Sequence, residues 1–174
     1  MEYWDIYDKD GRFSGKVIEK GEKLLPGEYH KAVEIWIINQ QGEFLLQKRS
    51  DTVELYPGFW ALTTGRLQSG ENPQSGCLRE LQEELGIFLE VQDIHSVAHV
   101  VRPRVSMIWD IFLIEWSGTI EELSFSDHEV ADVRWVTADE MLCLIREKKI
   151  FTYPEIEEIF HAILQKYGPT HKID

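Results

Sequence analysis

Positive charge is in short supply in this 174-residue chain: 18 Lys and Arg stand against 31 Asp and Glu, a formal net charge of −13. That balance excludes a general nucleic-acid binder, because no surplus of cations is available to neutralise phosphates. It does not exclude a small anionic ligand, which a metal ion can bridge to acidic side chains. Cysteine is scarce as well. Cys77 and Cys143 lie far apart and form no CxxC pair. Neither a zinc site nor a disulfide framework is therefore expected, and reduced thiols suit a cytoplasmic protein. No apolar run approaches membrane-spanning length, and the opening Met1-Glu2-Tyr3-Trp4-Asp5 is polar and acidic, so a membrane is not an expected partner. Repeats and low-complexity tracts are missing too. What is present is a hydrophobic fraction of 43% and an aromatic fraction of 11%. These suit a globular fold of about one domain, expected to span 1–174.

Residues 2–8 and 12–18 are predicted as short strands joined by the turn Asp8-Lys9-Asp10-Gly11. Lys20 to Gly27 reads as a loop, so 1–28 forms an N-terminal hairpin extension. Ala32 to Ile38 reads as a buried strand that Asn39-Gln40-Gln41-Gly42 turns back into Glu43–Arg49 as a hairpin. Further strands are expected at 93–101, 106–116 and 131–136. Asn72-Pro73 opens a helix, since Asn caps free N–H groups and Pro fits the first helical position. Leu78, Leu81 and Leu85 share one face of it, and Gly86 ends it. Thr137 with Glu140, and Thr152 with Glu155, form S/T-x-x-E capping boxes for two helices within 137–174. Strands interleaved with helices give an α/β (α+β) fold with a mixed sheet and helices on both faces.

Chemistry concentrates on the central helix. Glu80, Glu83 and Glu84 are three and four residues apart, so their carboxylates crowd one sector while the leucines face the core. Taken alone, such a cluster reads as a solvated acidic face. The flanks alter this reading. Thr63-Thr64-Gly65-Arg66-Leu67-Gln68-Ser69-Gly70-Glu71 is a glycine-containing loop that delivers a further carboxylate and then a capped helix start, where backbone N–H groups can approach a phosphate. Gly65, Glu71, Arg79, Glu80, Leu81, Glu83, Glu84, Gly86 and Ile87 together fill every specified position of G-x5-E-x7-R-E-U-x-E-E-x-G-U. Average residue usage yields such a match in about one chain in a million. On this pattern the chain resembles a Nudix hydrolase, with residues 65–87 as the Nudix box.

The resemblance implies an α/β/α sandwich that hydrolyses a nucleoside diphosphate linked to another group. It implies Mg²⁺, or Mn²⁺, held by Glu80, Glu83 and Glu84 with the Gly65 carbonyl, and a structural pair between Glu71 and Arg79. The donor chemistry agrees, because Mg²⁺ takes hard oxygen ligands and shares its shell with substrate phosphates. Glu83 and Glu129 are the candidates for general base. Arg49, Arg102, Arg104 and Trp60 are candidates to meet a small phosphorylated substrate, the arginines at its phosphates and the indole against a ring. The resemblance also makes a homodimer through the 2–18 hairpin an expectation.

Beyond the box, Tyr29–Trp36, Gln47–Ser50 and Tyr56-Pro57-Gly58-Phe59-Trp60 resemble the Nudix branch that includes isopentenyl-diphosphate isomerases. Isomerases need a Cys just before the box glycine and a His in the following Gly-His-Pro. Thr64 and Arg66-Leu67 occupy those positions, and only His30 remains of that set. Hydrolysis is therefore expected, with an isomerase-like activity as the alternative. A non-catalytic nucleotide sensor is a third reading, which the intact box and the lack of room for a second domain oppose.

Overall fold

Asp8 closes the first turn by accepting the backbone N–H groups of Asp10 at 2.9 Å and Arg12 at 3.0 Å. This joins β1 (Tyr3–Tyr7) to β2 (Phe13–Glu19) in an antiparallel hairpin, as the turn residues imply. The computed structural model describes residues 1–125 and 128–168. Within it, Trp4, Ile6 and Ile18 bury the inner face of the hairpin as a small core of their own.

The remaining strands are β3 (His30–Ile38), β4 (Phe44–Arg49), β5 (Trp60–Ala61), β6 (Thr63–Arg66), β7 (Ile94–Arg102), β8 (Met107–Glu115) and β9 (Val130–Val136). Among the described residues they form one mixed sheet in the order β5-β4-β3-β8-β7, with β6 also on β3 and β9 also on β4. Only β3 and β8 pair in parallel there. Asn39 builds the expected turn, its side-chain oxygen accepting from Gln41 and Glu43. The hairpin that follows is nonetheless short. β3 and β4 pair only at Ile38 and Phe44. Beyond that point β4 runs with β9 and β5, while β6 takes the place beside Ala32–Ile35. β6 thereby satisfies the β3 backbone groups that β4 leaves behind.

Helix α1 (Pro73–Leu85) starts and stops where predicted. Asn72 accepts from the Ser75 N–H and Ser75 returns the bond, while Gly86 ends the helix at φ +69°, a conformation costly for residues with a Cβ. Cys77, Leu81 and Leu85 bury against Val33, Ile35, Ile37 and Phe112 on one face of the sheet; Leu78 is only half-buried. The other face packs Trp36 and Phe44 against α2 (Ala138–Arg146) and α3 (Ile156–Tyr167), chiefly through Met141, Phe160 and Ile163. The result is the α/β/α sandwich with an N-terminal hairpin. No helix among the described residues is long and apolar enough to cross a membrane.

The Thr137–Glu140 capping box forms. The Thr152–Glu155 box does not: α3 begins at Ile156 without a side-chain cap. A tertiary bond overrides the local signal, because Tyr153 donates its hydroxyl to Glu34 on β3 and so holds the segment out of the helix.

Candidate active site

Side chains alternate along a strand, so Val33 and Ile35, which bury against α1, mark the face on which their partners Gly65 and Thr63 also lie. Gly65 lies directly beneath Glu80. A Cβ placed on Gly65 would stand 1.8 Å from Glu80 Cδ, so only glycine leaves room for that carboxylate. Glu80 is 9% exposed and Glu84 2%. The acidic sector of α1 is therefore not a solvated face: two of its three carboxylates are buried between helix and sheet, and Glu83 alone remains half-exposed. Burying a carboxylate is costly unless charge or hydrogen bonds compensate it.

The compensation is visible. Arg79 Nε lies 2.7 Å and Nη2 3.1 Å from the two oxygens of Glu71, a forked pair. Arg79 Nη1 lies 2.8 Å from Glu80 and 2.9 Å from Glu83, and Nη2 also donates to the Arg66 carbonyl at 3.0 Å. Glu71 further accepts the Gln68 N–H at 2.8 Å. One guanidinium thus fastens loop to helix, the brace that the box implies. Burial disfavours the charge on Arg79, but the Glu71 bond and the Glu80 charge outweigh it and hold the group firmly cationic. Glu84 accepts from Gln47 Nε2 at 2.7 Å, and Thr63 donates to the other end of that amide at 3.0 Å, which fixes its orientation.

Burial raises the Glu80 pKa to about 7, against the pull of Arg79 and with the charges of Glu83 and Glu129 adding to the rise. Glu129 is thereby placed within electrostatic reach of the cluster. Its carbonyl accepts the Ser50 N–H at 2.8 Å, tying it to the end of β4. Asp127, two residues before it in the chain, lies outside the described residues. No three acidic, histidine or cysteine side chains among the described residues form a ready cage for an ion. The donor set is still one that suits a hard cation, since Mg²⁺ takes one or two carboxylates and keeps waters. Cys77 plays no part: burial pushes its thiol up to about 12, leaving it neutral and inert.

The four residues expected to meet substrate have separate surroundings. Arg49 Nε donates to the Leu55 carbonyl at 2.8 Å, clamping the 50–58 loop. Trp60 lies under the Arg134 guanidinium, 4.7 Å from its ring centre. Arg102 stacks on Tyr153 at 3.8 Å and over Trp109 at 5.5 Å, with Glu155 at 3.8 Å. Arg104 is exposed in the turn between β7 and β8.

Sequence reasoning missed two polar centres. Gln47 shares a face with the buried Leu45, and that period-2 relation was available as a signal. Glu34 is a charge within an otherwise apolar strand, which was also legible. It faces away from α1 and accepts from Trp36 Nε1 at 2.9 Å and from Tyr153. Burial lifts its pKa from 4.5 to about 7 against those hydrogen bonds and the Arg102 charge. Between these values the folded protein keeps a proton that the unfolded chain has lost, so this site's contribution to stability falls as pH rises through that window. Glu34→Gln should flatten the fall, by on the order of 2–3 kcal/mol between the two ends. Unfolding free energies measured across that range check it, and parallel curves for the two proteins would remove Glu34 as the cause.

The NUDIX domain family matches residues 28–159. A Nudix hydrolase of Listeria monocytogenes is 32% identical over 167 residues, covering 92% of this chain and 95% of its own. An isopentenyl-diphosphate Delta-isomerase of Nocardia farcinica is 27% identical over 161 residues, covering 89% and 90%. The crystal structure of DR0079 from Deinococcus radiodurans superposes with a TM-score of 0.75 at 19% identity, covering 92% of this chain and 98% of that one. A carboxylate-bearing helix braced to a glycine loop over a mixed sheet defines the class. The chain belongs to the Nudix family, as a hydrolase.

Proposed function

We propose that the protein is a Mg²⁺- or Mn²⁺-dependent pyrophosphohydrolase that cleaves the phosphoanhydride bond of a nucleoside diphosphate linked to another group. The burial of Glu80 against Gly65, and of Glu84 against Gln47, carries this reading. Two carboxylates shielded from water, one with its pKa raised to about 7, are stabilised by a bound cation. Glu80, Glu83, Glu84 and the Gly65 carbonyl would hold the ion. Bound there, a divalent cation supplies positive charge against the diphosphate oxygens and acidifies water. Arg79 and Glu71 keep loop and helix in register, and Gln47 with Thr63 orients Glu84. Glu83, on the open side of α1, and Glu129, whose charge reaches Glu80, are the two groups suited to accept a proton from attacking water. Arg49, Arg102, Arg104 and Trp60 are assigned to the substrate beyond the scissile bond.

Kinship with isomerases supports a second reading, but Thr64 lacks the acidity of the thiol that protonates the substrate in that reaction. The test is a panel of nucleotide sugars, dinucleotides, nucleoside triphosphates, ADP-ribose and isopentenyl diphosphate, each with Mg²⁺, Mn²⁺ or a chelator. Hydrolysis of a nucleotide substrate that chelation abolishes is expected. Intact nucleotides throughout would remove the hydrolase reading, in favour of an isomerase if the isoprenoid is turned over and of a sensor if it is not.

A further inference from the structure

On the sheet face away from α1, a cavity of about 320 Å³ opens between the N-terminal hairpin and the start of β3, with Trp4, Lys23, His30, Arg66, Arg104 and Met107 in its wall. Three cations meet a single acid there, Glu22, although acids outnumber bases 31 to 18 in the chain. The Arg66 guanidinium lies 4.5 Å from the centre of the Trp4 ring. Glu2 and Glu54 act on Arg66 by charge from outside this wall and offset part of its positive field.

His30 adds a second observation. It is 1% exposed and stacks on Trp4 with ring centres 4.3 Å apart. Its Nε2 lies 3.0 Å from the Leu67 carbonyl. A carbonyl oxygen only accepts, so Nε2 carries the proton and Nδ1 is left with a bare lone pair. Burial, and the charge of Arg66, keep the imidazole pKa near 4 in spite of that bond, so the ring is neutral at physiological pH. Nδ1 is buried with no hydrogen-bond partner. A buried acceptor without a partner is costly, and a ligand that donates to it removes the cost.

The wall therefore offers several positive donors, and His30 within it carries a buried acceptor whose bond is unmet. We propose that this cavity binds a phosphate-class anion, with Lys23, Arg66 and Arg104 meeting its charged oxygens and His30 Nδ1 accepting from its protonated oxygen. A phosphate monoester carries such an O–H part of the time near neutral pH, since its second pKa is about 6. Strand alternation places His30, Ala32 and Glu34 on one face, with Arg66 opposite Ala32 and Thr64 opposite Glu34. Arg66 directly follows Gly65 in the chain, so the cavity begins one residue from the carboxylate site. Two sources share the ligand chemistry: a terminal phosphate of the enzyme's own substrate, and a free phosphate acting as effector. Only the first source rests on the hydrolase reading.

Titration of the full chain with inorganic phosphate, without divalent metal, tests the cavity by calorimetry and by the ¹⁵N resonances of the His30 ring. Saturable binding that shifts Nδ1 is expected, weakened at least about tenfold by Lys23→Ala and by Arg104→Ala. Both residues are exposed, so unchanged melting temperatures should show the variants folded. No saturable binding at millimolar phosphate, or equal binding by wild type and both variants, overturns the proposal. With a substrate in hand, Lys23-dependent competition by phosphate identifies the substrate's phosphate as occupant, and a Lys23-dependent change in kcat without competition identifies an effector; either supports the cavity. The binding measurement needs no turnover, so a protein that hydrolyses nothing yet binds phosphate here would sink the functional reading and leave this one standing.

Discussion

Glu83→Gln and Glu84→Gln should each lower kcat by about two to four orders of magnitude while leaving the fold intact. Both changes remove a negative charge from the proposed cation site and preserve shape. Glu83 is half-exposed, so its loss of charge should barely move the melting temperature. Glu84 is buried, but the new amide can still present an oxygen to Gln47 Nε2, now at 2.7 Å from the carboxylate. Stability and activity therefore separate: rates at saturating metal should collapse in proteins whose thermal unfolding is close to that of wild type. Rates near wild type in both variants would refute the roles assigned to them.

Gly65→Ala should cost at least about a hundredfold in activity, through geometry and not charge. The added methyl would stand 1.8 Å from Glu80 Cδ and 1.9 Å from Oε1. Because the obstacle is the far end of a flexible side chain, Glu80 can swing aside and the fold can survive. What cannot survive is the placement of its carboxylate. A small drop in melting temperature, a weakened metal requirement curve and a large fall in kcat are the expected signature. Full activity at ordinary metal concentration would mean that the position of Glu80 beneath the helix is immaterial.

Local chemistry made much of this molecule legible. Asn72-Pro73 and Gly86 mark the ends of α1 because caps act within one turn, and Asp8 and Asn39 set their turns through side chains that reach only a few residues. Glu71 and Arg79 were readable as a pair through the box pattern, and they meet. The burial of Glu80 and Glu84 was not readable from the helix, where polar spacing implies solvent. It depends on the absent Cβ of Gly65, on a strand packed against the helix, and on Gln47, which arrives from a strand 37 residues earlier. Likewise Thr152 carries a sound local capping signal, which loses to Tyr153 reaching Glu34 across 119 residues. The departure of β4 from β3 after Ile38 is of the same kind, since β6 competes for the same backbone groups. Local signals specified elements; long-range competition decided which carboxylates face inward.

Isotope tracing gives the most direct test of the central claim. The substrate turned over best with Mg²⁺ should be incubated with the enzyme in H₂¹⁸O and both products weighed by mass spectrometry. Cleavage of a phosphoanhydride bond is expected to leave one ¹⁸O on a phosphate of one product and none on the other, with labelled product forming at least about a hundredfold more slowly when Glu84→Gln replaces wild type. Products without ¹⁸O on any phosphate, or a substrate rearranged with its diphosphate intact, would contradict it.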